Sequence, residues 1–194
     1  MSRALVDELG LRQTPQRSDA IDRKYRIWRC IFLDHVDIHD RGGAKKGPNR
    51  YGPVMFWFDL DILLNLPAGS NIRVTKSNPF NWHDDDLDSD RWFHTADQLS
   101  KSISFGNYEK MLVIETPSGK LDFPDLRASI ILDDPRRYVS SGENAYINAR
   151  SLLRKAAADG RVETSIEQRV CPSGCICQKE YAEFTEEKVD LYFT

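Results

Sequence analysis

Val54-Met55-Phe56-Trp57-Phe58, Ile72-Arg73-Val74-Thr75, Met111-Leu112-Val113-Ile114 and Ser129-Ile130-Ile131-Leu132 are short runs rich in β-branched and aromatic residues. Each is bounded by Gly, Pro, Asn or Asp, the pattern of core strands between turns. The stretch from Tyr51 to Asp134 that holds them is therefore read as the sheet of the protein. An earlier run, Tyr25 to Leu33, is also aromatic and β-branched and is read as a first strand. It loses strict alternation at Cys30-Ile31-Phe32-Leu33, as a strand end buried on both faces does.

Helices punctuate the rest. Asp59 is placed to cap a short helix through Leu66, closed by Pro67 and Gly69. Thr95 with Gln98, and Ser140 with Glu143, have capping-box spacing. After the second box, Ala145, Ala149, Leu152, Leu153, Ala156 and Ala157 keep a helical period up to Gly160. Arg161 to Val170 alternates weakly, as an edge strand does, and Thr185 caps a short terminal helix. These elements predict an α+β protein with a central twisted sheet of mixed or antiparallel strands and flanking helices. The boundaries expected are an N-terminal arm over 1–22, one domain over 23–170 and a cysteine-containing appendage over 171–194.

The chain has 194 residues, 40% of them apolar, enough for an ordinary core. A formal charge of -3 gives no global attraction to nucleic acid or anionic membrane. The loop from Arg41 to Pro53 is the most basic segment, and Lys45, Lys46 and Arg50 there are charges that phosphates attract. No apolar run is long enough to span a bilayer, and acids interrupt the first residues. The expectation is a soluble, cytoplasmic protein without a membrane partner.

The order of elements carries a resemblance. Val54 to Leu64, then Arg73-Val74-Thr75-Lys76-Ser77-Asn78-Pro79, then Arg91-Trp92-Phe93-His94, then Glu109-Lys110-Met111-Leu112-Val113, resembles the DarT-like branch of the ADP-ribosyltransferases over roughly residues 50 to 133. The resemblance implies an ADP-ribosyltransferase-like fold and transfer of ADP-ribose from NAD to a DNA or RNA acceptor, as in toxins or anti-phage effectors restrained by an antitoxin. It assigns a Glu at the mouth of the Leu-Val strand to the oxocarbenium-like state at the nicotinamide ribose, where a carboxylate stabilises positive charge. That Glu is Glu109. Lys110 and Met111 separate it from the Leu-Val pair, so Glu115, at the far end of the strand, is its rival. Arg26, Arg29 or Arg50 would hold phosphates or ribose, Tyr51, Phe56 or Trp82 would stack on nicotinamide, and Asn78 belongs to the cofactor loop.

Three other constellations compete with this reading. Cys171, Cys175 and Cys177 have a spacing that can wrap one structural zinc, with Cys30, His35 or His39 as fourth ligand. That site underlies the alternative of a non-catalytic, zinc-stabilised interaction domain. The run from His83 to Asp90 offers His83, Asp84, Asp86 and, beyond it, His94 to a metal-dependent nuclease, although carboxylates in one loop converge poorly. Finally, Trp82 and Trp92 are candidate anchors of a binding surface.

Overall fold

A computed structural model of the chain describes residues 20–28, 30–35, 52–102, 110–119, 128–169, 171 and 175–194. In chain order its elements are α1 (Ala20–Lys24), β1 (Ile31–Asp34), β2 (Val54–Phe58), β3 (Asn71–Val74), α2 (Asp88–Arg91), α3 (Ala96–Ser102), β4 (Met111–Glu115), β5 (Ala128–Asp133), α4 (Ala145–Asp159), β6 (Ser165–Arg169), α5 (Ile176–Glu183) and α6 (Glu186–Phe193). The fold is α+β. The described residues within 13–46 and 66–121 form one compact unit, and those within 47–65 and 122–194 another.

The strands do not share one central sheet, as the sequence reading expected. They form two three-stranded sheets, β1-β4-β3 and β2-β5-β6. Periodicity marks a strand but not its partner, and pairing follows what each face must satisfy. β3 and β4 are antiparallel, and just past β3 the fully buried Thr75 accepts a hydrogen bond from Met111 N through its hydroxyl at 2.8 Å and donates its own N–H to Met111 O at 2.9 Å. A residue with no exposed surface leaves no room for an unpaired hydroxyl, so this match fixes β3 against β4. β2 instead lies antiparallel to β5, with Val54 opposite Leu132 and Phe56 opposite Ile130.

In the first unit, β4 is the central strand, and Phe32, Val113 and Arg73 stand opposite one another across it. Adjacent residues in register share a face. Phe32 and Val113 pack there with Ile27, Cys30, Trp82 and Trp92. The expected first strand begins only at Ile31. Before it, Tyr25 to Ile27 turn back on α1 by Tyr25 N to Ile21 O at 3.0 Å and Ile27 N to Asp22 O at 2.9 Å, with Arg26 at φ 58°. The aromatic character that read as strand serves packing, because the Tyr25 hydroxyl donates to Trp82 O at 2.9 Å and its ring meets Trp82 edge-on.

In the second unit β5 and β6 run parallel, and α4 connects them, as a parallel pair requires a long crossover. Ala145, Tyr146, Ala149, Leu153 and Ala157 form the buried stripe of α4. Its N-cap is Asn144, which accepts from Ile147 N at 3.1 Å, rather than the Ser140 box; Ser140 N donates to Asp190 instead. Leu153 shares a core cluster with Ile130 and Leu132 of β5, Tyr181 of α5, and Val189 and Phe193 of α6. Side chains of α5 and α6 are thus part of this core. Arg137 fastens α5 by donating to the carbonyls of Tyr181, Ala182 and Phe184 at 2.9 to 3.1 Å, satisfying acceptors that a helix end leaves open.

Candidate functional site

The loop after β3 turns at Pro79, which shortens the strand and starts a 3-10 turn over Pro79–Asn81. Asn78 caps that turn, its side-chain oxygen accepting from Phe80 N at 2.9 Å, while its amide nitrogen donates to Met111 Sδ at 3.9 Å. The Asn loop therefore sits at the mouth of β4, where the chain enters after Glu109 and Lys110. Lys76 N donates to Arg91 O and Phe93 N to Val74 O, so the segment Arg91 to Phe93 pairs alongside. The ammonium groups of Lys76 and Lys110 each stand 5.6 Å from the centre of the Phe93 ring. Their other partners are carbonyls: Lys76 donates to Ser89 O at 2.7 Å and Lys110 to Ser102 O. Arg91 lies over Tyr25 at 4.6 Å and donates to His83 O at 2.7 Å. The result is a mouth that gathers an amide, two cations and a half-buried aromatic ring.

Glu115 marks the opposite end of the strand. It is exposed and stands across from Asn71. Four residue steps separate it from Met111, about 13 Å at the rise of a β-strand. Asn78 and Glu115 therefore do not share a site. Glu115 acts instead on Cys30, whose thiol is pushed up to about 11, first by burial and then by the Glu115 charge, with Arg73 opposing. The Arg73 guanidinium stacks over Trp92 at 4.0 Å.

Of the other residues singled out from the sequence, Glu109, Arg29, Arg50 and Tyr51 lie outside the described residues, as do His39, Lys45 and Lys46. Arg26 is exposed on the left-handed turn after α1. Neither stacking candidate within the structure offers a free ring face. Phe56 packs against the core of its unit, and Trp82 stands edge-on to both Tyr25 and Trp92. Trp82 and Trp92 are 7% and 4% exposed, too buried to anchor a partner, because together they form the core beneath the β4 sheet.

The aspartate run is consumed locally. Asp86 accepts from His83 N at 2.7 Å, Asp90 from Leu87 N at 2.9 Å, and Asp84 pairs with Lys24. Cys171, Cys175 and Cys177 gather in or against the second unit's core, whereas Cys30 and His35 belong to the first unit. Burial, contact with Cys175 and the Asp133 charge, in that order, push the Cys171 thiol up to about 12. Among the described residues, no group of three or more His, Cys, Asp or Glu side chains is placed to hold a metal ion. Nor is any described helix long and apolar enough to cross a membrane.

Sequence reading missed Lys76, Phe93 and Lys110 as a set. Each is an ordinary surface-type residue in its own segment, and only pairing of three separate segments joins them. No protein-family model, characterised protein or solved structure matches this chain.

Proposed function

We propose that the chain is an ADP-ribosyltransferase-like enzyme that moves ADP-ribose from NAD to a nucleic-acid acceptor, in the manner of a toxin held by an inhibitory protein. The resemblance pairs an Asn loop with a Glu at the mouth of a Leu-Val strand. What supports the reading is that Asn78 contacts Met111, the first residue of β4, two positions after Glu109 in the chain.

In this reading Glu109 is the catalytic carboxylate, and Glu115, at the other end of the strand, is not. Breaking the bond between C1′ of the ribose and nicotinamide leaves positive charge on the sugar ring. A carboxylate fixed beside it stabilises that charge while a nucleophilic atom of the acceptor attacks C1′. Lys76 and Lys110 supply cations for the pyrophosphate or the acceptor backbone, and Phe93 between them offers a flat surface to a base.

Purified protein, freed of any inhibitor, incubated with labelled NAD and a mixed DNA and RNA pool, is expected to label nucleic acid. Glu109→Ala should lower transfer by roughly 10²-fold or more, the scale of losing a main electrostatic stabiliser, while Glu115→Ala retains most activity. A Lys76→Ala, Lys110→Ala double variant should raise the KM for NAD or the acceptor and change unfolding free energy by only about 0.5 kcal/mol or less per site. Absence of transfer by the wild type overturns the reading. Loss of activity in Glu115→Ala with retention in Glu109→Ala moves the site to the other end of β4.

A further inference from the structure

Register sorts the side chains of the second sheet onto two faces. Val54, Phe56, Ile130, Leu132 and Ile166 belong to the core cluster that α4 joins. Their neighbours along each strand belong to the other face, because successive strand residues alternate. On that face Trp57, Ser129 and Ser165 form one row across β2, β5 and β6, and Met55, Ile131 and Glu167 form the next. Trp57 is 54% exposed, and Ser165 and Glu167 are exposed as well. The half-buried Met55 and Ile131 stand between the ring and the carboxylate in the register.

Elsewhere this chain seats cations on its rings. Arg73 lies 4.0 Å from the centre of the Trp92 ring, Lys188 3.9 Å from Phe184, and Arg91 4.6 Å from Tyr25. Among the described residues, the Trp57 side chain has no such cation, no ring contact and no hydrogen bond. Nor does Glu167 have a Lys or Arg partner among them; its carboxylate accepts from the Ser165 hydroxyl at 3.3 Å. Arg169, the next residue of β6 on this face, approaches Asp133 at 4.0 Å instead.

We propose that this face binds an arginine side chain of a partner protein, its guanidinium stacked on Trp57 and paired with Glu167. The electron-rich face of an indole attracts a cation. A guanidinium is flat enough to lie on that ring while its edge donates to a carboxylate, a geometry that an ammonium lacks. Two strand spacings and two residues separate Trp57 from Glu167, about 12 Å at the α-carbons, a gap that two such side chains and one guanidinium span together. An arginine within a peptide also covers Met55 and Ile131 with its stem and its neighbours, which a free polyamine does not. The Glu167 carboxylate repels phosphates, so the occupant is a peptide and not a nucleic acid. All these residues belong to the second unit, whereas the mouth of β4 belongs to the first, and the inference stands apart from the transferase reading.

The test titrates the full chain, isotope-labelled at its nitrogens, with a short peptide of valine and threonine around one central arginine. Trp57→Phe assigns the Trp57 indole signal. That signal should move and saturate, and the same peptide with citrulline, which keeps the shape but loses the charge, should bind at least roughly fivefold more weakly. Trp57→Leu and Glu167→Gln should each weaken binding by a similar factor, followed through the amides of Ser129 and Ser165, with circular dichroism checking that each is folded. The citrulline comparison needs the wild type alone, so it decides even where a variant does not fold. No movement of the Trp57 signal, equal binding of the citrulline peptide, full binding by folded Glu167→Gln, or equal binding of spermidine overturns the proposal.

Discussion

The mouth of β4 and the core behind β5 handle polar groups in opposite ways. At the mouth, the half-buried Lys76 and Lys110 lie over the ring of Phe93 and donate to the carbonyls of Ser89 and Ser102. Behind β5, Asp133 is 2% exposed and takes a 2.5 Å hydrogen bond from Tyr181, itself 4% exposed, among tightly packed apolar side chains. Cations that keep part of their surface in water contribute little to stability. A buried, satisfied carboxylate works the other way, because withdrawing its donor leaves a polar group in a medium that cannot replace it. The second core should thus carry more of the stability than the mouth.

Substitutions sharpen this contrast, and the largest effect is expected at Phe193. Its side chain is 1% exposed at the centre of the second core, and Phe193→Ala should destabilise by about 4 kcal/mol through lost burial and the cavity left behind. Denaturant unfolding that shows less than about 1 kcal/mol would mean that α6 does not hold the core together.

Tyr181→Phe comes next. It keeps the ring in place, edge-on to Phe184 and Phe193, but removes the donor to Asp133, and should cost roughly 1–3 kcal/mol. Burial and then the Asp133 charge hold the phenol well above its ordinary range, so it donates throughout the accessible pH range. A variant as stable as wild type would indicate that Asp133 finds another donor, with Arg169 Nε, 4.0 Å away, the first place to look.

The smallest effect is a slope with pH. Cys171 in the folded chain titrates at about 12 and Cys30 at about 11, both above an unfolded thiol near 8.5. Below the unfolded value both states are protonated and stability is complete. As pH rises from about 9 towards 12, the unfolded chain ionises first, binds fewer protons than the folded one, and stability falls. Denaturation midpoints measured under reducing conditions should decline over that range, and less steeply in Cys171→Ser. An equal slope in that variant would assign the decline to other groups.

How far the sequence reaches differs between the units. The buried stripe of α4 was legible because its apolar residues recur with the helical period, and Thr185 was legible as a cap because its hydroxyl meets Lys188 N three positions on. Both signals are local. Tyr25 to Ile27 was not legible as a turn, since aromatic residues suit a strand and an aromatic core equally well. Trp82 and Trp92 were ambiguous for the same reason: a large ring in a polar loop fits an interface as well as a core. Asn78 was a candidate from the sequence, but its contact with Met111 spans 33 positions. Glu109 remains placed by sequence order alone.

By itself the sequence marked the segments that hold the strands, although the first begins later than read, the helices α3, α4 and α6, the α+β class, and the stretches where thiols and cations are concentrated. Those properties follow from periodicity, caps and turn residues, which act over a few neighbouring positions. Tertiary structure alone decided that the strands divide into two sheets, that Lys76, Phe93 and Lys110 meet, that Asn78 and Glu115 stand at opposite ends of β4, and that Tyr181 meets the buried Asp133. Each depends on which distant surface can satisfy a buried hydroxyl, ring or carboxylate, a choice made only when the chain packs.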